Sequence, residues 1–241
     1  MILETQDVVK RFGGLVAVDH VSMGVDKGEI LGVIGPNGAG KTTLLNVIAG
    51  RYQPTSGIVR LAGESIGGLT PERICRKGLA RTFQISHPFP QMSALENVMV
   101  AVVFGRADRA AKDAVKTAAQ WLEFVEFPMP AHTLAKQLNT GQLKRLDLAR
   151  ALASNPKVLM LDEVGAGLTP PELEEVMALL RRIANSGIAT IVVEHLMRLI
   201  MGLCDRIIVL HYGQKIAEGT PHEIRGSKGV AEAYLGEKYL L

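Results

Sequence analysis

The stretch from Gly35 to Thr43, Gly-Pro-Asn-Gly-Ala-Gly-Lys-Thr-Thr, lies between two segments of different pattern. Residues 29–35 are mostly apolar and predict a buried strand, whereas residues 41–49 have a helical pattern. The stretch matches GxxxxGK[ST], in which main-chain N–H groups of a glycine-rich loop surround a phosphate and the next helix adds partial positive charge at its start. We therefore predict a nucleotide phosphate site on this loop.

The loop also supplies two side chains with separate roles. We expect Lys41 to reach the β and γ phosphates and the hydroxyl of Thr42 to bind Mg²⁺. The residues predicted to contact the nucleotide are Gly35, Pro36, Asn37, Gly38, Ala39, Gly40, Lys41, Thr42 and Thr43.

Two acidic residues follow a second apolar run in the other half of the chain. Residues 158–161 are all apolar, and Asp162 and Glu163 come directly after them. This places both carboxylates at the carboxyl edge of a parallel sheet, where open α/β folds bind ligands. We predict that Asp162 holds Mg²⁺ and that Glu163 orients or deprotonates a water molecule facing the γ-phosphate.

Strand and helix patterns alternate through residues 158–210. Apolar runs at 158–161, 188–193 and 206–210 predict strands, and helices are expected from Pro170 to about Ala184 and over 196–203. Thr169 and Glu172 form a capping box before the first of these helices. Strands that are apolar throughout and alternate with helices are typical of a parallel sheet in an α/β fold.

Two other parts of the chain have different patterns. The first 25 residues and residues 57–63 predict short strands in an antiparallel region, and residues 96–104 and 109–127 predict helices. We therefore expect a single domain over 1–241, with an α/β core and β subdomain from 1–85 and 141–241 and an inserted helical subdomain at 86–140.

The composition lies in the range of globular proteins and excludes disordered, collagen-like and low-complexity chains. The chain has 241 residues, of which 47% are hydrophobic, and a net charge of +3, which is too small a bias to indicate a nucleic acid partner. Cys75 and Cys204 are predicted to be buried thiols, without disulfide or metal-ligand spacing. No secretory signal is expected at the start, and the longest apolar run, 98–104, is too short to span a bilayer.

The segment Leu138-Asn-Thr-Gly-Gln142 is similar to the signature Leu-Ser-Gly-Gly-Gln of the ATP-binding cassette family, the ATPase subunits of membrane transporters. By its residues the segment is also a helix start, with Asn139 at the N-cap and Gln142 at the capping-box position. The resemblance covers essentially the whole chain. It implies a P-loop NTPase (RecA-like) core, ATP and Mg²⁺ as cofactors, and a head-to-tail dimer. In that dimer Asn139, Thr140, Gly141 and Gln142 bind the γ-phosphate held by the opposite subunit.

Three further positions match the family in order. Phe12 corresponds to the aromatic residue on which adenine stacks, and Gln84 to a glutamine that contacts Mg²⁺ and the attacking water. His195 corresponds to a histidine that contacts the γ-phosphate. The resemblance therefore implies a catalytic set of Glu163, His195, Gln84 and Lys41, with Thr42, Gln84 and Asp162 at the metal.

Several segments are similar to one branch, the ATPases of importers for branched-chain and other hydrophobic amino acids. These segments are 81–84, 166–168, 193–197 and 233–237. The nearest alternative is the ATPase of lipopolysaccharide export, over which the Glu194-His195 pair favours the importer. A soluble cassette ATPase for DNA repair or translation is a second alternative. A P-loop GTPase or small-molecule kinase is a third, which would leave residues 138–142 without a role.

The importer resemblance implies partners and a location. The partners are a second ATPase subunit, identical or different, the transmembrane permease subunits and, indirectly, an external solute-binding protein. No nucleic acid partner is implied. The implied location is peripheral, on the cytoplasmic face of the inner membrane.

Four residues depart from the family pattern. Asn139 and Thr140 replace Ser and Gly of the signature, Val164 replaces a Pro, and Thr169 replaces an Asp that couples the two ATP sites. Because each signature serves the partner's ATP, we expect these departures to affect the opposite site first. Two ATP sites formed with a different ATPase subunit should then be unequal.

Overall fold

The computed structural model describes residues 1–82, 85–105, 113–227, 229, 230 and 233. The predicted α/β class is confirmed, and the strands form two sheets. The larger sheet has six strands in the order β10-β9-β3-β8-β7-β6. Their bounds are β3 Ile30–Ile34, β6 Leu79–Arg81, β7 Val158–Asp162, β8 Ala189–Val193, β9 Arg206–His211 and β10 Gln214–Gly219.

The larger sheet is parallel over β9, β3, β8, β7 and β6, as its apolar runs predict. Strand β10, which the sequence analysis does not identify, pairs antiparallel with β9 at one edge. Its residues alternate between exposed and half-buried, which is the pattern of an edge strand with one face in solvent.

The smaller sheet is antiparallel and has the order β2-β1-β4-β5. The bounds of its strands are β1 Leu3–Phe12, β2 Leu15–Val25, β4 Ser56–Leu61 and β5 Glu64–Ser65. Strands β1 and β2 contain 10 and 11 residues, so the expectation of short strands at the start of the chain is wrong. They remain continuous because bulges take up the irregular spacing of apolar residues in this hairpin.

Eight α-helices have their bounds within the described residues, and a 3-10 helix spans Ala135–Gln137. Their bounds are α1 Lys41–Ile48, α2 Pro71–Arg76, α3 Ala94–Phe104, α4 Ala114–Phe124, α5 Thr140–Ala153, α6 Pro170–Asn185, α7 Met197–Leu203 and α8 Pro221–Gly226. Helix α4 falls within the range 109–127 expected from the sequence, of which residues 109–112 lie outside the described part. It ends at Phe124, before Pro128 and Pro130, and Glu126 already has a left-handed φ of 52°.

Apolar side chains cover both faces of the larger sheet. On β3, Ile30 and Ile34 belong to one core with α3, α5 and α6, whereas Leu31 and Val33 belong to a second core with α1 and the smaller sheet. This alternation explains why the central strands are apolar at almost every position. In the described part of the chain, no helix combines the length and apolar character that crossing a membrane requires.

Candidate functional site

The glycine-rich loop connects the end of β3 to the start of α1. Gly35 has a φ of 151° and Gly40, the N-cap of α1, has a φ of 98°. A Cβ atom at Gly35 would lie 2.1 Å from the carbonyl oxygen of Leu210, and one at Gly40 would lie 2.3 Å from that of Ala17. Neither position has room for a side chain, so the loop conformation requires glycine at both ends.

The ammonium group of Lys41 lies inside this loop. Its Nζ donates hydrogen bonds to the carbonyl oxygens of Gly35 at 2.6 Å and Pro36 at 2.8 Å. Burial lowers the pKa of Lys41, and the nearby Glu163 and Asp162 carboxylates oppose that shift. The loop thus places one cation within the electrostatic reach of both predicted carboxylates.

Asp162 is the last residue of β7, two strands from β3 in the larger sheet. Its carboxylate is buried and forms an ion pair with Arg81, whose Nη2 lies 2.9 Å from Oδ2. Arg81 also donates a 2.6 Å hydrogen bond from Nη1 to Oδ1 of Asn46, on α1. Arg81 therefore joins the helix after the phosphate loop to the predicted metal ligand, a role that the sequence analysis misses.

Glu163 follows directly and has a left-handed φ of 50°. Its main-chain N–H donates to the carbonyl oxygen of Val193 at 2.9 Å, which holds it beside the end of β8. Its Oε1 lies 3.8 Å from Nδ1 of His195, whose side chain is 61% exposed. The fold thus brings the predicted Glu163 and His195 together at the carboxyl edge of the sheet.

Glu194, between Val193 and His195, is a buried acid that the sequence analysis uses only to distinguish branches. Its Oε1 accepts a 2.6 Å hydrogen bond from the main-chain N–H of Gly165. Burial raises its pKa, and main-chain N–H groups of Gly165, Leu196 and His195 oppose that shift. Glu194 therefore ties the His195 segment to the segment after Glu163. Its position at the end of an apolar run, like that of Asp162, is a signal that could identify it.

The predicted capping box at the start of α5 is present. Oδ1 of Asn139 accepts from the main-chain N–H of Gln142 at 2.9 Å, and Oε1 of Gln142 accepts from that of Asn139 at 3.0 Å. A Cβ atom at Gly141 would lie 2.7 Å from Oε1 of Glu172, and one at Gly167 would lie 3.4 Å from Cγ2 of Thr140. The segment 139–142 thus lies against the segment 167–172, which follows Glu163 in the chain.

Phe12 is the last residue of β1, and its side chain is 41% exposed. Its ring packs edge to face on Tyr52 with 5.2 Å between the ring centroids. Nζ of Lys10 lies 5.0 Å from the Phe12 centroid. Tyr52, which the sequence analysis misses, thus packs against the exposed ring of Phe12.

The donor atoms expected at the metal are Thr42, Gln84 and Asp162, of which Gln84 lies outside the described residues. The other two supply a hydroxyl and a carboxylate oxygen, the hard ligands that Mg²⁺ prefers. Within the described residues no group of three or more His, Cys, Asp or Glu side chains is placed to hold a metal. This donor set fits an ion that takes its remaining ligands from phosphate and water.

A cavity of about 650 Å³ lies between the sheet edge and the helices α2, α3 and α5. Arg81 lines it together with Phe89, Phe104 and Arg150. Cys75 also lines it and is half-buried, so the prediction of a buried thiol is wrong for Cys75 and confirmed for Cys204. His87 and Phe89, which follow Gln84 in the chain, both line the cavity.

Comparison with protein families gives two matches. The ABC transporter model matches residues 18–166, which is more than half of the chain. A second model, branched-chain amino acid ATP-binding cassette transporter, matches residues 214–239.

Curated relatives are similar over nearly the whole chain. The high-affinity branched-chain amino acid transport ATP-binding protein BraF of Pseudomonas aeruginosa is 41% identical, with 98% of each chain covered. The corresponding protein LivG of Escherichia coli K12 is 39% identical, again with 98% of each chain covered.

Solved structures share the fold. The ADP conformation of MJ1267, an ATP-binding cassette of an ABC transporter, has a TM-score of 0.89 at 31% identity and covers 98% of both chains. The dimeric structure of MJ0796, a bacterial ABC transporter cassette, has a TM-score of 0.81 at 28% identity, covering 91% of this chain and 98% of the other. The chain therefore belongs to the ABC transporter family, as one of its nucleotide-binding ATPase subunits.

Proposed function

We propose that this chain is the ATP-hydrolysing subunit of an importer for branched-chain or other hydrophobic amino acids. The observation that carries the substrate class is the similarity over 98% of the chain to BraF and LivG, both named as branched-chain amino acid transport ATP-binding proteins. The match of residues 214–239 to a branched-chain amino acid cassette model supports the same class. These similarities favour uptake of amino acids over export of lipopolysaccharide.

In the proposed ATP site, the loop 35–43 surrounds the phosphates and Phe12 stacks on adenine. Lys41 then exchanges the carbonyl oxygens of its own loop for phosphate oxygens, which are charged and form stronger hydrogen bonds with an ammonium group. Thr42, Gln84 and Asp162 would hold Mg²⁺, which neutralises part of the phosphate charge when bound. Half-burial of Lys41 strengthens its interaction with phosphate, because the local dielectric is low.

We assign hydrolysis to Glu163. Its carboxylate takes a proton from water, the water oxygen forms a bond to the γ-phosphorus, and the bond from phosphorus to the bridging oxygen of ADP breaks. His195, 3.8 Å from Glu163, contacts the γ-phosphate, and Lys41 and Gln84 stabilise the charge that develops.

The proposed active form is a dimer in which the segment 139–142 closes over the ATP of the second subunit. The helix α5 starts there with capped amides, and a helix N-terminus attracts anions. In this arrangement Asn139 supplies an amide donor at the position where the family signature has a serine hydroxyl. The second subunit is either another copy of this chain or a different ATPase.

The proposed site for the permease is the cavity lined by Arg81, Phe89 and Phe104. It combines exposed apolar side chains with the guanidinium group of Arg150, a surface suited to a short amphipathic segment of another protein. We propose that residues 86–140 act as a helical subdomain that moves with this contact. The chain would then sit on the cytoplasmic face of the membrane, and an external solute-binding protein would deliver the amino acid.

Uptake measurements in the source cells test the proposed function. Deleting the gene should abolish energised uptake of labelled leucine, and the wild-type gene should restore it. A Lys41→Ala variant expressed at the same level should not restore uptake, because it lacks the phosphate-binding cation. Unchanged leucine uptake in the deletion strain would contradict the proposed substrate class. If the purified wild-type protein still hydrolysed ATP, the assignment as an ATPase would stand and only the substrate class would be refuted.

A further inference from the structure

Lys144 lies in the second turn of α5, the helix that begins at the segment 139–142. Its side chain is buried, and its Nζ donates a hydrogen bond of 3.0 Å to the main-chain carbonyl oxygen of Glu163. The start of the same helix is the part proposed to contact the partner's ATP. One side chain therefore connects that helix to the backbone of the proposed catalytic base.

The backbone of Glu163 needs external support. Its φ of 50° lies in the left-handed region, which non-glycine residues adopt at a cost that surrounding contacts must offset. Its N–H donates to Val193 at 2.9 Å, and its carbonyl oxygen accepts from the N–H of Ala166 at 3.2 Å as well as from Lys144. The bonds with Val193 and Ala166 are between main-chain groups. The bond from Lys144 instead comes from a side chain on a separate helix.

The charge of Lys144 is placed among acidic groups. Burial lowers its pKa, and the carboxylates of Asp147, Glu194, Glu163 and Asp162 oppose that shift. Burying an ammonium group is unfavourable unless acceptors and opposite charges surround it, and a methionine would fill similar space without that cost. The lysine therefore contributes a donor and a charge to this position, beyond the volume of its side chain.

We propose that Lys144 is a positioning residue for hydrolysis, which holds the main chain of Glu163 and so fixes the direction of its carboxylate. The inference rests on the proposed function, because it requires Glu163 to act on water.

The test compares three variants of the full chain. Lys144→Met removes the donor and keeps an unbranched side chain that is one atom shorter, and Lys144→Arg keeps a cationic donor. Lys116→Met makes the same change at an exposed position on α4 and is the matched control. Each variant is measured for kcat and KM of ATP hydrolysis and for the Kd of a fluorescent ATP analogue with Mg²⁺.

We expect Lys144→Met to lower kcat by roughly tenfold or more, while the Kd stays within about twofold of wild type. Lys144→Arg should recover at least about half of the wild-type kcat, and Lys116→Met should behave as wild type. This split distinguishes positioning from general destabilisation, because a partly unfolded protein would lose binding and turnover together.

Three results would overturn the inference: a kcat within about twofold of wild type for Lys144→Met, a parallel loss of affinity and kcat, or no rescue by a folded Lys144→Arg. Should Lys144→Met fail to fold, Lys144→Leu, which also lacks a donor, replaces it under the same criteria. Failure of the wild-type chain to hydrolyse ATP would instead refute the proposed function.

Discussion

Arg81 and Asp162 form a buried ion pair, in which Nη2 of the arginine lies 2.9 Å from Oδ2 of the aspartate and the two side chains are 8% and 9% exposed. The pair joins β6 to β7 at the carboxyl edge of the sheet. It occupies Oδ2 of Asp162, the residue proposed to hold the metal.

Removing Arg81 should destabilise the fold strongly. An Arg81→Met variant leaves the buried Asp162 carboxylate without its cation, and we expect the free energy of unfolding to fall by about 3 to 5 kcal/mol. Urea denaturation measures this loss. The control is Arg60→Met, since Arg60 lies 4.0 Å from Glu4 with both side chains about one-third exposed, and should cost about 1 kcal/mol or less. Equal losses in the two variants would contradict the role given to burial.

The phosphate loop should not tolerate a side chain at its last glycine. In Gly40→Ala the new Cβ would meet the carbonyl oxygen of Ala17 at a backbone φ of 98°, so the loop must distort. We expect affinity for a fluorescent ATP analogue to fall by about tenfold or more, and stability to fall as well. Gly14→Ala is the control, because nothing lies within 4 Å of its Cβ position. Normal affinity in Gly40→Ala would show that the nucleotide does not use this loop conformation.

Changing the N-cap residue of α5, Asn139, should lower stability without changing the chain's own affinity for ATP. Asn139→Ala removes the acceptor for the Gln142 N–H, and we expect a loss of about 1 kcal/mol in the free energy of unfolding. Asn139→Ser keeps a capping oxygen and should lie within a few tenths of a kcal/mol of wild type. The chain's own ATP affinity should be unchanged in both, because the segment is proposed to serve the partner's site. A large change of affinity in the isolated chain would argue against that assignment.

Stability should depend on pH through the cap of α6. The main-chain N–H and the hydroxyl of Thr169 donate to Oε2 of Glu172 at 2.8 and 2.7 Å, and they lower the pKa of that carboxyl from its ordinary value of 4.5. A lowered pKa in the folded state contributes stability above 4.5 that is lost as pH falls through the folded-state pKa.

Glu172→Gln tests this dependence. We expect the melting temperature of the variant to fall less steeply with acidification below pH 4.5 than that of wild type. Thermal unfolding followed by circular dichroism over this range measures both slopes. If the melting temperatures of the two proteins fell equally steeply below pH 4.5, the cap would not contribute to the pH dependence.

Most of the central fold follows from local pattern. The strand before Gly35, the loop and α1 are specified by an apolar run, glycines and a helical period, and the α6 cap by Thr169 and Glu172. The starts of α5 and α6 are defined within four residues of sequence, so hydrogen bonds between near neighbours determine them.

The residues that sequence reasoning missed depend on distant partners. Arg81 contacts Asn46 and Asp162, which are 35 and 81 positions away, and Lys144 contacts Glu163 across 19 positions. In a single sequence, an arginine or lysine at such a position has the pattern of a solvated side chain. Its burial becomes evident only when β6, β7 and α5 are assembled. Strand β10 was missed for a related reason, since its residues alternate weakly and its partner β9 defines it.

The most direct test of the account is the Glu163→Gln variant of the purified chain. The amide cannot take a proton from water but keeps the shape of the side chain. We expect Mg²⁺-dependent ATP affinity within about twofold of wild type, hydrolysis lowered by about 100-fold or more, and an ATP-bound dimer on size-exclusion chromatography. The matched control is Glu174→Gln on the exposed face of α6, which should hydrolyse ATP as wild type does. Near-normal hydrolysis by Glu163→Gln would contradict the central claim that this carboxylate activates the attacking water.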